Sequence, residues 1–193
     1  MKWIVVAILL LIVPYTIVTL RYRKPGPAFQ PYEDMKNRAN VARLLSAGYR
    51  RIPLAATIPA EGGTRAAGGA NIASVAGGLP EGLRSTLVEP LLLPSEIGNV
   101  SAAAVAFALT SYAIQLTCLL PNDKQQLGGA ELFLRGKEVV IAPTFEPVAG
   151  ELLTRSRQTT VLLTIPAGTL PPGHYEITLA AERQSAAWNL EVR

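Results

Sequence analysis

Of the two residue types that hold zinc and carry out most nucleophilic chemistry, this chain of 193 residues has one each, Cys118 and His174. One cysteine excludes an intramolecular disulfide and any cysteine-based metal framework, and it leaves the redox compartment undetermined. With one histidine, the usual zinc and catalytic His clusters cannot be assembled from this chain alone. Carboxylates are few and dispersed, Glu33–Asp34 being the only adjacent pair, so no spacing suggests a paired acid and base. The glycines match neither GxGxxG nor GxxxxGK[ST], which removes the phosphate-loop readings. A Cys118–His174 nucleophilic pair has no orienting third group, and a copper set of Cys118, His174 and Met35 fails because Met35 lies far upstream. Neither a catalytic residue nor a metal or cofactor site is expected.

What the chain does contain is apolar. Nearly half of it, 49%, is hydrophobic, and the mean hydropathy is +0.28, high enough to call for a membrane segment. The length suits one ordinary domain with an appendage. The net charge of +4 is uneven: residues 21–51 hold eight Lys/Arg against two acids, and the remaining ten basic and twelve acidic residues sum to −2. The basicity belongs to one segment and does not describe a nucleic-acid-binding domain.

Residues 1–24 read as a transmembrane anchor. From Trp3 to Leu20 there is no charge, Lys2 precedes, and Arg21, Arg23 and Lys24 follow. As a helix the run spans about 27 Å, enough for a thin bilayer. Pro14 is tolerable in a membrane helix. The rival reading, a cleaved signal, lacks a small-x-small site before the RYRK cluster. The basic flank by itself places the following chain in the cytoplasm.

Residues 25–54 read as a basic juxtamembrane helix. Pro31 suits its first turn, Glu33 and Asp34 its positive end, and Gly48 its stop. Met35, Ala39, Ala42 and Leu45 make a narrow apolar stripe, with Lys36, Arg38 and Arg43 largely off it. The stripe is expected to pack on the main domain. The alternative is a helix on anionic lipid headgroups, with Arg21, Arg23, Lys24, Lys36, Arg38 and Arg43 as the cations. Residues 55–84, with three Gly-Gly pairs and little bulk, read as a flexible linker.

Residues 85–193 read as mainly β. Strands are expected near 86–93, 103–109, 112–120, 130–135, 138–142, 159–165, 174–181 and 186–192, the number and spacing of an immunoglobulin-like sandwich. The uncharged run 100–120 could span a bilayer by length. Tyr112, Ile114, Leu116, Cys118 and Leu120, however, alternate with period two up to the Pro-Asn-Asp turn, which favours strands over a second span. Cys118 then faces a core, and His174 lies in a turn. The loop 145–158 is the candidate contact of this domain.

The segment VLLTIPAGTLPPGHYEITLAAERQSAAWNLEV resembles the closing strands of bacterial envelope Ig-like domains: an apolar strand, a Pro-Gly-x-Tyr turn, and a last strand with an aromatic residue. Similar domains form the extracytoplasmic part of single-pass regulators related to anti-sigma factors. Those carry a cytoplasmic domain before the span, often with a Cys/His zinc motif, where this sequence has Met1 and Lys2. The resemblance implies a single-pass protein of the bacterial inner membrane with a periplasmic domain. Its expected role is non-enzymatic interaction or assembly with another envelope protein, the alternative being the partner-sensing subunit of a regulatory complex.

Overall fold

The structure, a computed structural model, describes residues 2–22, 31–59, 68–120, 122, 124–148 and 157–193. The chain divides into two units, Met1–Met35 and Lys36–Arg193.

The first unit holds helix α1, Lys2–Tyr22, and the start of α2, Pro31–Ser46. Pro14 lies inside α1. In the turns around it, Thr16 donates its hydroxyl to the Ile12 carbonyl at 2.8 Å and Thr19 to that of Tyr15 at 2.7 Å. Such back-bonding satisfies threonine within a helix. Among the described residues no helix is long and apolar enough to cross a membrane. The expected anchor falls largely on the side chains of residues 4–9, 11, 17 and 20, which lie outside that description.

The second unit contains the rest of α2, a short helix α3, Glu81–Thr86, and ten strands among the described residues. The strands are β1 Arg50–Thr57, β2 Ala73–Ala76, β3 Glu96–Ala102, β4 Val105–Ala106, β5 Tyr112–Leu119, β6 Gln125–Arg135, β7 Glu138–Pro147, β8 Gln158–Ile165, β9 Gly173–Leu179 and β10 Gln184–Val192. The sheet order is β2-β10-β9-β7-β6-β1-β8-β5-β3, with β4 paired to β10. The sheet curls until its ends meet. β4 begins three residues after β3 and runs parallel to the end of β10, where Glu191 and Arg193 donate their N–H groups to the Ala104 and Ala106 carbonyls at 2.9 Å. β1 makes the corner: Arg50 to Leu54 pair with β6, and Ala55 to Thr57 leave it to pair with β8. A strand that changes partners in this way turns one layer into the next.

Between the layers lies one core. Ile114, Leu116, Val161, Leu163, Leu132, Ile141, Ile177 and Trp188 are among its buried members. A second, smaller cluster joins Leu44 of α2, Tyr49, Leu83 of α3 and Leu87 to Phe133, Val140, Ala142 and Ala180. β6 and β7 are therefore buried on both faces, which explains the unbroken apolar run VVIA in β7: Val139 and Ile141 enter the first cluster, Val140 and Ala142 the second. Gly136, at φ +60, opens the two-residue turn of the β6–β7 hairpin.

A mainly β fold of sandwich-like layers is as expected, and β5, β8, β9 and β10 stand close to where the alternation placed them, whereas β6 begins five residues earlier, at Gln125, and β7 runs five residues further, to Pro147. The run 100–120 forms the end of β3, then β4 and β5, so it is not a second membrane span. Three expectations change. The β fold begins at Arg50 rather than near residue 85. The segment read as a linker supplies the end of β1, all of β2 and most of α3, with residues 60–67 outside the described residues. Gly77 has a specific reason to be there, since a Cβ on it would lie 2.3 Å from the Glu182 carbonyl oxygen. Finally, residues 87–94 make no strand: Pro90 and Pro94 interrupt the ladder, and Leu87, Leu91 and Leu93 pack over the second cluster instead.

Candidate functional site

α2 ends at Ser46 and is stopped by Gly48, as the sequence predicts. Gly48 sits at φ +79, its N–H reaches the Leu45 carbonyl at 3.0 Å, and the Tyr49 N–H reaches that of Leu44 at 2.8 Å. This is a Schellman turn, with Leu44 and Tyr49 as its apolar pair, both in the second cluster. The Arg135 guanidinium stacks 4.5 Å over the Tyr49 ring. Burial above all, and Glu138 after it, hold the Tyr49 phenol above its ordinary pKa, against the pull of Arg135.

That turn decides which side of α2 meets the domain. Lys36, Asn40 and Leu44, one row at i, i+4 and i+8, face inward: Lys36 pairs with Glu89, Asn40 accepts the Val88 N–H at 2.8 Å, and Leu44 is buried. The expected stripe faces the other way. Leu45 is 65% exposed, Val41 is 45% exposed, and Ala39 and Ala42 are exposed beside them. Met35, in the first unit, is exposed too. The packing of this stripe on the main domain is thus overturned, because the Schellman turn and the polar contacts of Lys36 and Asn40 hold the opposite row inward. Lys36 also leaves the set of free cations. Arg38 remains on the outward side next to Leu45, and Arg43 is exposed at its edge, four residues on from Ala39, both without a side-chain hydrogen bond or ion pair among the described residues. Arg23 and Lys24 lie outside the described residues.

Between this outward face and β1 runs a groove of about 330 Å³, walled by Val41, Leu44, Leu45 and Pro53 and bordered by Arg51 and Glu131, which pair with each other. Arg50 donates to the Thr169 carbonyl at 2.6 Å.

A second apolar surface forms a tip at the start of β5. Val105, Phe107 and Leu109 are 38%, 61% and 89% exposed, while Ala102 and Ala106 point into the core. The tip is braced from beneath. The Trp188 indole N–H donates to the Tyr112 hydroxyl at 3.2 Å, and that hydroxyl donates to the Ala103 carbonyl at 2.7 Å. Ala108 donates to Arg193 at 2.9 Å and accepts from Gly168 at 2.7 Å. Burial pushes the Tyr112 phenol up to about 12, with the Trp188 hydrogen bond opposing. The sequence reading of 103–109 as a strand missed this tip, although a signal was present. Tyr112, Ile114 and Leu116 face inward on even numbers; carried upstream, that parity puts alanines 102, 106 and 108 inside and Phe107 and Leu109 outside.

The residues considered for chemistry are not brought together. Cys118 lies in the first core cluster, and burial pushes its thiol up to about 11, so it stays protonated and unreactive at neutral pH. His174 stands exposed on β9 opposite Glu191. Among the described residues no three of His, Cys, Asp and Glu are grouped to hold a metal ion. Of the loop 145–158, residues 145–147 continue β7, the Val148 N–H reaches the Lys124 carbonyl at 2.9 Å, and 149–156 lie outside the described residues.

Comparison of the chain with protein-family models, with curated proteins and with solved structures returns no match.

Proposed function

We propose that this chain is a membrane-anchored, non-enzymatic protein of the bacterial envelope whose Ig-like domain binds another protein. Trp3 to Leu20 would hold it in the inner membrane, with the domain on the exported side. The length of that uncharged run and its basic flanks support the anchor. So does the exposure of Trp3, Leu10, Ile12, Val13, Tyr15 and Val18 on α1, which water would penalise and lipid would not.

The observation that carries the binding role is the tip. Bulky side chains at residues 107 and 109 project into solvent from a backbone held by hydrogen bonds on several sides, so they cost little to order on binding. Hot spots of protein interfaces have this form, an apolar anchor on a rigid support. The full chain, extracted from membranes in mild detergent, is expected to retain a stoichiometric protein partner that the Phe107→Ser/Leu109→Ser variant loses while keeping its thermal midpoint. Retention of the same proteins by both forms would refute the reading. Altered transcription with no stable partner would instead mark the chain as a subunit of a regulatory complex.

A further inference from the structure

We infer that the outward face of α2 is a lipid contact: Val41 and Leu45 enter the interface of an anionic bilayer, and Arg38 and Arg43 bind its headgroups. The inference rests on the anchoring reading above and deepens it by naming a second membrane-binding element.

The argument begins with the inversion. A surface helix turns its apolar stripe to the core and its charges to water. α2 does the reverse, sending Lys36, Asn40 and Leu44 inward and leaving Val41 and Leu45 exposed beside Arg38, with Arg43 exposed at the edge of that face four residues on from Ala39, both arginines without side-chain partners among the described residues. The inward row is fully used. Lys36 is neutralised by Glu89, Asn40 is satisfied by Val88, and Leu44 is closed over by the Schellman turn, so rotating the helix to bury the stripe would break all three contacts.

Apolar side chains beside exposed cations fit one kind of surface particularly well, an interface in which hydrocarbon lies just beneath negative charge. A protein partner would need acidic groups spaced to match, whereas a bilayer with anionic lipids supplies them at any spacing. Position agrees. Eight residues separate the end of α1 at Tyr22 from the start of α2 at Pro31, and a chain of that length extends about 3.5 Å per residue at most, which keeps α2 within reach of whatever surface α1 enters. The apolar groove beside Val41 and Leu45 widens the contact toward Pro53 of β1. Because α2 is tied to the sheet through Leu44 and the Tyr49 that follows it, and to the segment over the second cluster through Asn40, a bound α2 would fix the whole β domain in one orientation to the membrane.

The test uses the full chain in vesicles of phosphatidylcholine with and without phosphatidylglycerol, carrying Ala42→Cys labelled with an environment-sensitive fluorophore. Ala42 is exposed between Val41 and Arg43, and the native Cys118, buried and protonated, does not take the label. The probe is expected to be quenched by lipid-borne nitroxides when phosphatidylglycerol is present and far less in phosphatidylcholine alone. Arg38→Gln with Arg43→Gln is expected to lower the ratio of inserted to free helix on the order of 25-fold, the equivalent of roughly 1 kcal/mol per cation near an anionic surface. A probe that stays in water in both vesicle types while the chain still floats with them would overturn this inference and leave the anchor standing. So would a probe shielded only as protein concentration rises, which would make the face an interface between proteins. A chain that fails to float at all would overturn the anchor, and this inference with it.

Discussion

RRIPLAAT and VAFAL trade the places that their composition suggests. The first carries two arginines and a proline, yet it becomes β1, paired on both sides and central in the sheet order. The second is wholly apolar, yet it ends as the tip where Leu109 is 89% exposed. Strand order explains the exchange. β1 needs only one inward-facing row, and Ile52, Leu54 and Ala56 provide it, while Arg51 on the other face pairs with Glu131 and Arg50, at the start of the strand, reaches the Thr169 carbonyl. The tip leaves the ladder after two residues of β4, so its bulky side chains have no facing layer. Where a segment sits in the sheet outweighs how apolar it is.

The sharpest way to break that comparison is at Leu54, which is 4% exposed and lies where β1 passes from β6 to β8. Leu54→Ala is expected to cost about 2–5 kcal/mol, since it removes a buried side chain and leaves a cavity at the corner of the fold. Urea unfolding monitored by Trp188 fluorescence measures it. A loss under about 0.5 kcal/mol, the scale of an exposed site, would mean that β1 is an adherent linker after all and not a strand the fold depends on.

The next effect is on pH and tests how firmly the tip is braced. The Tyr112 phenol is held up to about 12 against an ordinary value of 10.0, chiefly by burial. A group whose pKa is raised on folding contributes stability that is complete below its unfolded value. The Tyr112 contribution is therefore full below about pH 10 and is lost as pH rises through about 12. Cys118, pushed from 9.0 up to about 11, adds a loss that begins near pH 9. Tyr112→Phe is expected to flatten the upper part of this decline. At neutral pH it costs about 1–3 kcal/mol, because the Trp188 indole N–H and the Ala103 carbonyl lose their partner in the interior. An unchanged alkaline profile would show that the phenol is reached by water and that the brace is weak.

How much of this was legible varies by segment for physical reasons. β5 to β10 announce themselves because their inward rows are Val, Ile, Leu and aromatics set against polar neighbours, and the double burial of β6 and β7 only lengthens the apolar run. β1 is hidden because its inward row, Ile52, Leu54 and Ala56, is short and opens on Arg50, and the residues that alternate with it include Arg51 and Pro53. β2 is hidden because all four residues of ASVA are exposed, and its place comes from backbone pairing with β10 alone. Leucines at 87, 91 and 93 imitate a strand, whereas they cap a cluster that only the tertiary fold creates. The direction of α2 could not be read from α2 itself. Its two rows, Met35-Ala39-Ala42-Leu45 and Lys36-Asn40-Leu44, share the helical period, and the choice between them is made by Val88 and Glu89, some fifty residues away.

The smallest expected effect is at Leu109, and its size is informative for that reason. A side chain that is 89% exposed has given up little water on folding, so Leu109→Asn is expected to change stability by no more than about 0.5 kcal/mol in either direction. The backbone around it is held by groups that the substitution leaves alone: the Ala108 N–H on Arg193, the Gly168 N–H on the Ala108 carbonyl, and the Thr110 N–H on that of Phe107. A neutral result in thermal unfolding, set beside a lost partner, would separate folding from binding at this tip. A destabilisation that approaches that of Leu54→Ala would show Leu109 covered in solution, and if it also depended on protein concentration, the cover would be a second copy of this chain.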